Sequence, residues 1–311
     1  GNIATNAGGI RVIKYGSTSR YVSGLELITG DGKLISADDM LIKNATGPDL
    51  KSFFIGSEGI FGLFTSCRIR LIKKPLETSV FLIGFDDLSS MDEITKSILR
   101  FDIEAFEFFT SNSLRKVSEE YEQVDIGDLD NKYYLIVELH DHDKFTATLE
   151  DIYKKELAQE IIISSSNSQK ESIWKYRLLI SESISRSAPI KFDIAVPANN
   201  VSVIVNKLES FFAKEKSYEL ILFGHVGDGN LHVNVLRKSI DHNYDKDKLI
   251  EKNIYALVLT SGGTLSAEHG IGANKIKAFM NHGNKLKIEL IKNLKNHFDN
   301  KGILNPGKLV E

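Results

Sequence analysis

From Glu77 onward, hydrophobic and polar positions alternate between two periods. Short apolar runs at 79–85, 106–109, 133–140, 160–164, 191–196 and 219–223 are rich in aromatic and β-branched residues and read as strands. Between them the spacing changes to the helical one. In Val201–Phe212, apolar residues fall at Val201, Ile204, Val205, Leu208, Phe211 and Phe212, a stripe of period 3.6. The β-α-β-β-α-β order predicts an α+β fold built of ferredoxin-like units, with helices on one face of an antiparallel sheet. Helices are also expected near 247–260 and 284–298, before the tail NPGKLVE.

The first 73 residues read differently, as loops and short strands. Residues 21–29 run into the turn former Asp31-Gly32, and Leu34-Ile35 resumes beyond it as a hairpin would. A glycine cluster at 56–62 leads into a β-rich run at 63–72, and Lys73-Lys74-Pro75 is suited to a linker. The expected division is therefore 1–75, 76–265 and 266–311. The opening GNIATNAGG, with neither an initiator Met nor a preceding strand, reads as a start in mid-domain.

At 311 residues, 42% hydrophobic and 26% charged, the composition is that of an ordinary globular protein with room for two cores. A net charge of -3 without any basic run gives no electrostatic case for nucleic acid. One cysteine, Cys67, rules out an internal disulfide framework and a multi-cysteine zinc site, which fits a reducing compartment. No apolar run reaches the length of a membrane span.

Three constellations carry candidate chemistry. In GHVGDGNLHVNV, at 224–235, His225 and His232 flank a run of turn formers that forbids one continuous strand. Folded as a hairpin, the two imidazoles can meet, with Asn234 following His232 on the same face. Such a pair suits a divalent metal, although histidines around a turn are more often on the surface or hydrogen-bonded in the core. Glu268 in SAEHGIGANK can supply a third ligand, with His269 beside it as a base. In IWKYRLLISES, Arg177 and Ser181 are i and i+4 on a helix, and Lys191 opens the next strand. Together they suit a carboxylate clamp, or an ordinary solvated face. GNIATNAGG and GSEGIFG expose backbone amides fit for phosphate, or form simple turns, and neither matches a dinucleotide-binding G-x-G-x-x-G.

GNIATNAGGIRVIKYG, LELITGDGKLI, NATGPDLKSFFIGSEGIFGLFT, WKYR…KFDIAVP, GHVGDGNLHVNV, SAEHGIGANK and NPGKLV occur in this order from end to end. Together they resemble the FAD-linked oxidases of the vanillyl-alcohol-oxidase type, in particular the D-2-hydroxyglutarate dehydrogenase, D-lactate dehydrogenase and glycolate oxidase group. The resemblance implies the C-terminal part of an FAD-binding domain, followed by the ferredoxin-like sheet. It also implies a preceding subdomain that carries a further pyrophosphate-binding loop. Asn2, Thr5, Asn6, Gly8, Gly9, Glu58, Leu63 and Asn305 are similar to residues that hold FAD. His225, His232 and Glu268 fall on the family's metal ligands, zinc first among the candidates, and His269 on its base. Arg177, Ser181, Lys191 and Asn234 match substrate contacts, with Ser181 standing where Thr is usual.

The implied activity is FAD-dependent, metal-assisted oxidation of a D-2-hydroxy acid to the 2-oxo acid, D-2-hydroxyglutarate above all. D-lactate and glycolate are the alternatives within the group. The acceptor would be a quinone, a cytochrome or an electron-transfer flavoprotein. The resemblance allows a homodimer, and a cytoplasmic setting, or a mitochondrial one in a eukaryote. A metal-dependent hydrolase and one half of a split or inactive enzyme are the readings outside the group.

Overall fold

The computed structural model describes residues 1–37, 41, 43–121, 129–140, 142–238 and 243–310. Two compact units form. One comprises Gly1–Gly9, Tyr15–Lys74 and Leu265–Glu311, the other Ile10–Lys14 and Pro75–Thr264. The C-terminal segment thus belongs with the N-terminal one.

In the first unit, strands β1 (Val22–Ile28), β2 (Leu34–Ser36) and β3 (Leu63–Ile69) form an antiparallel sheet in the order β2-β1-β3. The turn at Asp31-Gly32 joins β1 to β2, as its sequence predicts, with Gly32 at φ 84°. Leu25, Leu27, Phe54, Ile60, Phe61 and Val310 make the core. Phe298, from helix Lys285–Phe298, packs against the rings of Phe53, Phe54 and Phe61 with centroids 5.4–5.8 Å apart. Burial of these rings ties the end of the chain to its beginning.

The second unit holds a seven-stranded antiparallel sheet. Its strands are β4 (Ser79–Phe85), β5 (Ile103–Thr110), β6 (Tyr133–Leu139), β7 (Glu160–Ile163), β8 (Ile190–Ala195), β9 (Tyr218–His225) and β10 (Asn230–Arg237), in the order β7-β4-β6-β5-β9-β10-β8. The run β7-β4-β6-β5 is one complete ferredoxin-like unit. The run β9-β10-β8 is a second whose fourth strand is reduced to a single bridge between Ala195 and Thr264.

Helices cover both faces of this sheet rather than one. Phe81 of β4 meets Phe145 of helix His142–Lys154 with ring centroids 4.7 Å apart, and Phe192 of β8 meets Tyr255 of helix Tyr244–Thr260 at 5.4 Å. Helices Leu88–Ile98 and Val201–Phe212 complete that layer. Val80 and Leu82 alternate with Phe81 along the strand and so point the other way. They share a core with Leu114 and Val117 of helix Ser111–Glu120 and with Ile173, Tyr176, Ile180 and Ile184. The physical reason is that segments 111–120 and 167–187 are additions to the repeat, and their apolar stripes take the face the repeat leaves bare.

Candidate active site

On that second face the register sets the candidate residues side by side. His232 stands opposite Phe223 on β9 and Asp193 on β8, while Asn234 stands opposite Ile221 and Lys191. Phe109 of β5 lies opposite Phe223, so Glu107 and His225, each two residues along its strand, share the face too. The turn at 226–229 makes the hairpin possible. Gly229 has φ 78°, and a Cβ there would stand 1.9 Å from the Val196 carbonyl oxygen, so only glycine fits.

The hairpin brings the two histidines together. Their Nε2 atoms are 3.5 Å apart, with the rings nearly perpendicular. His225 Nδ1 donates to Glu107 Oε1 at 2.6 Å, and His232 Nδ1 lies 3.8 Å from Asp193 Oδ1. A carboxylate can only accept, so Glu107 fixes the proton on Nδ1 and leaves the Nε2 lone pair for a ligand. Burial works against a charged His225, but the hydrogen bond and charge of Glu107 outweigh it, and the ring is held above its ordinary pKa. Two imidazole nitrogens on one tetrahedral zinc, each at about 2.0–2.1 Å, would be about 3.3–3.4 Å apart. The observed pair fits that spacing with little movement, and two soft-to-borderline nitrogen donors backed by buried carboxylates suit a divalent ion.

Arg177 is buried on the same face, 5% exposed. Its Nε donates to Glu107 Oε2 at 2.7 Å, and its guanidinium lies 4.6 Å from the Phe223 ring centre. Asn234 is buried and donates to the His232 carbonyl at 3.3 Å. Lys191 and Ser181 are both exposed. The expected single helix through Arg177 and Ser181 is interrupted. Helix Asn167–Leu178 ends at Leu179, and Ile180–Ser183 begins a separate turn. Ile180 and Ile184 are drawn into the core, which turns Ser181 outward. Among the described residues no hydrogen bond joins Arg177, Ser181 and Lys191.

In the first unit the glycine-rich loops meet. Gly56 N donates to Ile3 O at 3.0 Å and Glu58 N to Ala4 O at 2.7 Å. Asn305 Nδ2 donates to Glu58 O, so the tail reaches the same place. The Glu58 carboxylate accepts from the amides of Ile271 and Gly272, both at 2.7 Å. Gly270 is at φ 73°, and a Cβ there would stand 2.6 Å from Glu58 Oε1, so a side chain would displace that carboxylate and be strained in its backbone. Glu268 and His269 precede this turn, with His269 Nε2 3.5 Å from Glu268 Oε1, and a Cβ on Gly9 would lie 3.9 Å from Glu268 Oε2. Asn6 adopts the left-handed conformation and accepts from Ser19 N, and Thr5 donates to Gly1 O. Asn2 and Leu63 are exposed, Leu63 at 64%.

A nucleotide cofactor needs unspent polar groups here, and they are present. The amides of Gly8 and Gly9 have no acceptor among the described residues. The Ser57 hydroxyl is buried without a partner. A buried orphan of this kind costs about 1–3 kcal/mol unless a ligand satisfies it. Ser57 lies in the GSEGIFG loop singled out from the sequence, whereas Glu107 is absent from the candidates read there. Glu107 had a legible signal, a lone acid within AFEFF, because a carboxylate in an apolar strand must find a partner.

The family model described as FAD linked oxidases, C-terminal domain, matches residues 74–309, and that of an FAD binding domain matches 1–38. The chain belongs to the FAD-linked oxidases. This FAD-linked oxidase is 34% identical to a D-2-hydroxyglutarate dehydrogenase of Stutzerimonas stutzeri, over 99% of this chain and 69% of that protein. It is also 34% identical to one of Xanthomonas citri, over 100% and 68%. Among solved structures, 4-ethylphenol oxidase from Gulosibacter chungangensis shares the fold. Its TM-score is 0.70 at 14% identity, covering 99% of this chain and 68% of that one. No described helix is long and apolar enough to cross a membrane.

Proposed function

We propose that this FAD-linked oxidase dehydrogenates a D-2-hydroxy acid to the 2-oxo acid, with D-2-hydroxyglutarate as its preferred substrate. The observation that carries the reading is the His225–His232 pair, 3.5 Å apart at Nε2, on the same buried face as Arg177. Metal ligands and an anion-binding guanidinium on one face suit a substrate with a hydroxyl next to a carboxylate.

FAD would be held by the loops Gly1–Gly9 and 57–63 with Asn305. A divalent ion, zinc first, would be held by His225, His232 and Glu268. When bound, the flavin supplies the two-electron acceptor and the ion the Lewis acidity that no side chain offers. Arg177 and Lys191 bind carboxylate oxygens, and Asn234 and the Ser181 hydroxyl orient the substrate. His269 takes the proton of the 2-hydroxyl. The reoxidant would be a quinone, a cytochrome or an electron-transfer flavoprotein.

The test is anaerobic mixing of the flavin-loaded protein with each acid in turn. Bleaching of the flavin by D-2-hydroxyglutarate faster than by D-lactate or glycolate is expected. Bleaching by none of them would overturn the reading.

A further inference from the structure

The carboxylate of Glu107 serves two elements at once. One oxygen accepts from His225 Nδ1 on β9 at 2.6 Å, the other from Arg177 Nε on helix Asn167–Leu178 at 2.7 Å. Both lengths are those of charge-assisted bonds. All eight residues of β5 are buried and Glu107 is fully so. Burying an acid there gains nothing that an apolar side chain would not give more cheaply to the fold.

Each bond makes a choice. At His225 it fixes which ring nitrogen is left as a lone pair. At Arg177 it occupies Nε, while Phe223 covers the flat of the guanidinium. Among the described residues Nη1 and Nη2 have no acceptor, so the end-on fork is the edge left for a ligand. We propose that Glu107 is a positioning residue shared by the metal-binding imidazole and the carboxylate-binding guanidinium, setting the tautomer of His225 and the presented edge of Arg177 together. The assignment rests on the function proposed above.

Glu107→Gln is the telling variant because it preserves volume but cannot serve both partners. Its amide has one acceptor and one donor end, and both neighbours are donors. If the donor end faces His225, the ring must carry its proton on Nε2 and lose its ligand lone pair. If it faces Arg177, the guanidinium is pushed off its seat. Glu107→Asp keeps two acceptors but withdraws them by one methylene.

The experiment compares the flavin-loaded wild type with both variants. It reads zinc affinity by chelator competition, 2-oxoglutarate affinity by perturbation of the flavin spectrum, and the melting temperature. Glu107→Gln should weaken zinc, 2-oxoglutarate or both by roughly 10–100-fold, the range for loss of a group that orients a metal ligand. Glu107→Asp should fall between it and the wild type, and decides the matter if the Gln variant does not fold. Variants that bind both ligands within about twofold of the wild type, with only the melting temperature lowered, would overturn the proposal, since orienting groups act at 10-fold or more. A wild type that binds 2-oxoglutarate but no zinc would instead overturn the metal reading, and the Arg177 half of the proposal is then decided by 2-oxoglutarate alone. A wild type that binds neither overturns both.

Discussion

Lys191 and Asn234 stand opposite each other on β8 and β10, one exposed and the other buried. The pairing sets a solvated cation at the rim of the face on which Arg177 is buried. A monocarboxylate is neutralised by one cation, whereas a diacid gains from a second. Lys191→Met should therefore narrow the preference for D-2-hydroxyglutarate over D-lactate by about 1–3 kcal/mol, the scale of a hydrogen bond to a charged group. The ratio of kcat/KM values for the two acids, in wild type and variant, measures it. A ratio indifferent to Lys191 would remove this residue from the clamp.

The His225–His232 pair predicts a metal-dependent loss. Replacing His225 with Ala should abolish stoichiometric zinc and most of the activity while leaving the far-ultraviolet circular dichroism intact. Metal analysis of the purified variant checks it, and an unchanged metal content would end the proposed ligand set.

Glu58 predicts a local effect in the first unit. Its carboxylate holds the amides of Ile271 and Gly272, and Ala at this position would inherit the same left-handed backbone without the acceptor. Glu58→Ala should cost about 1–3 kcal/mol, since two amides lose a charged partner. It should also speed hydrogen exchange through 266–275. Unaltered exchange in that stretch would show that the turn does not depend on Glu58.

Glu138 sets an acid limit on stability. It is buried, 2% exposed, and accepts from Arg11, Lys170, Thr78 and the Trp174 indole. Burial opposes its charge, but the hydrogen bonds from Thr78 and Lys170 and the charge of Arg11 prevail, so its pKa is lowered. A lowered folded pKa contributes stability that is present above the unfolded value of about 4.3 and is lost as pH falls through the folded one. Glu138→Gln should be less stable at neutral pH and flatter between about pH 5 and pH 3, a window set by that same linkage. Urea unfolding at a series of pH values checks it, and parallel curves for the two proteins would refute it.

Much of this architecture was legible in the residues and some was not. The strand at 79–85 follows from its aromatic and β-branched apolar run and the helix Val201–Phe212 from its period, and the turn formers at 227–230 foretold the meeting of the histidines. Segment order also pointed to the family. Glu107 carried a local signal as an acid in an apolar strand, but its partners lie 70 and 118 residues away and no local pattern names them. The break at Leu179 escaped for a different reason. The helical period of Ile173, Tyr176, Ile180 and Ile184 continues through it, so nothing in the local pattern marks the end of the first helix at Leu179. The second helical layer is likewise a tertiary outcome, since an apolar stripe does not say which face of a sheet it will cover.

The stub of a fourth strand, where the Thr264 amide donates to the Ala195 carbonyl at 2.8 Å, anchors the chain just before Glu268. Glu268 is four residues further on, and four residues of fully extended chain span at most about 14 Å. Such a short leash gives a side chain an effective concentration of about millimolar or more without any diffusion from bulk. For Glu268, the proposed third ligand, any search for a metal would then be confined to that radius about Thr264, and a cut between Thr264 and Glu268 would lift the confinement.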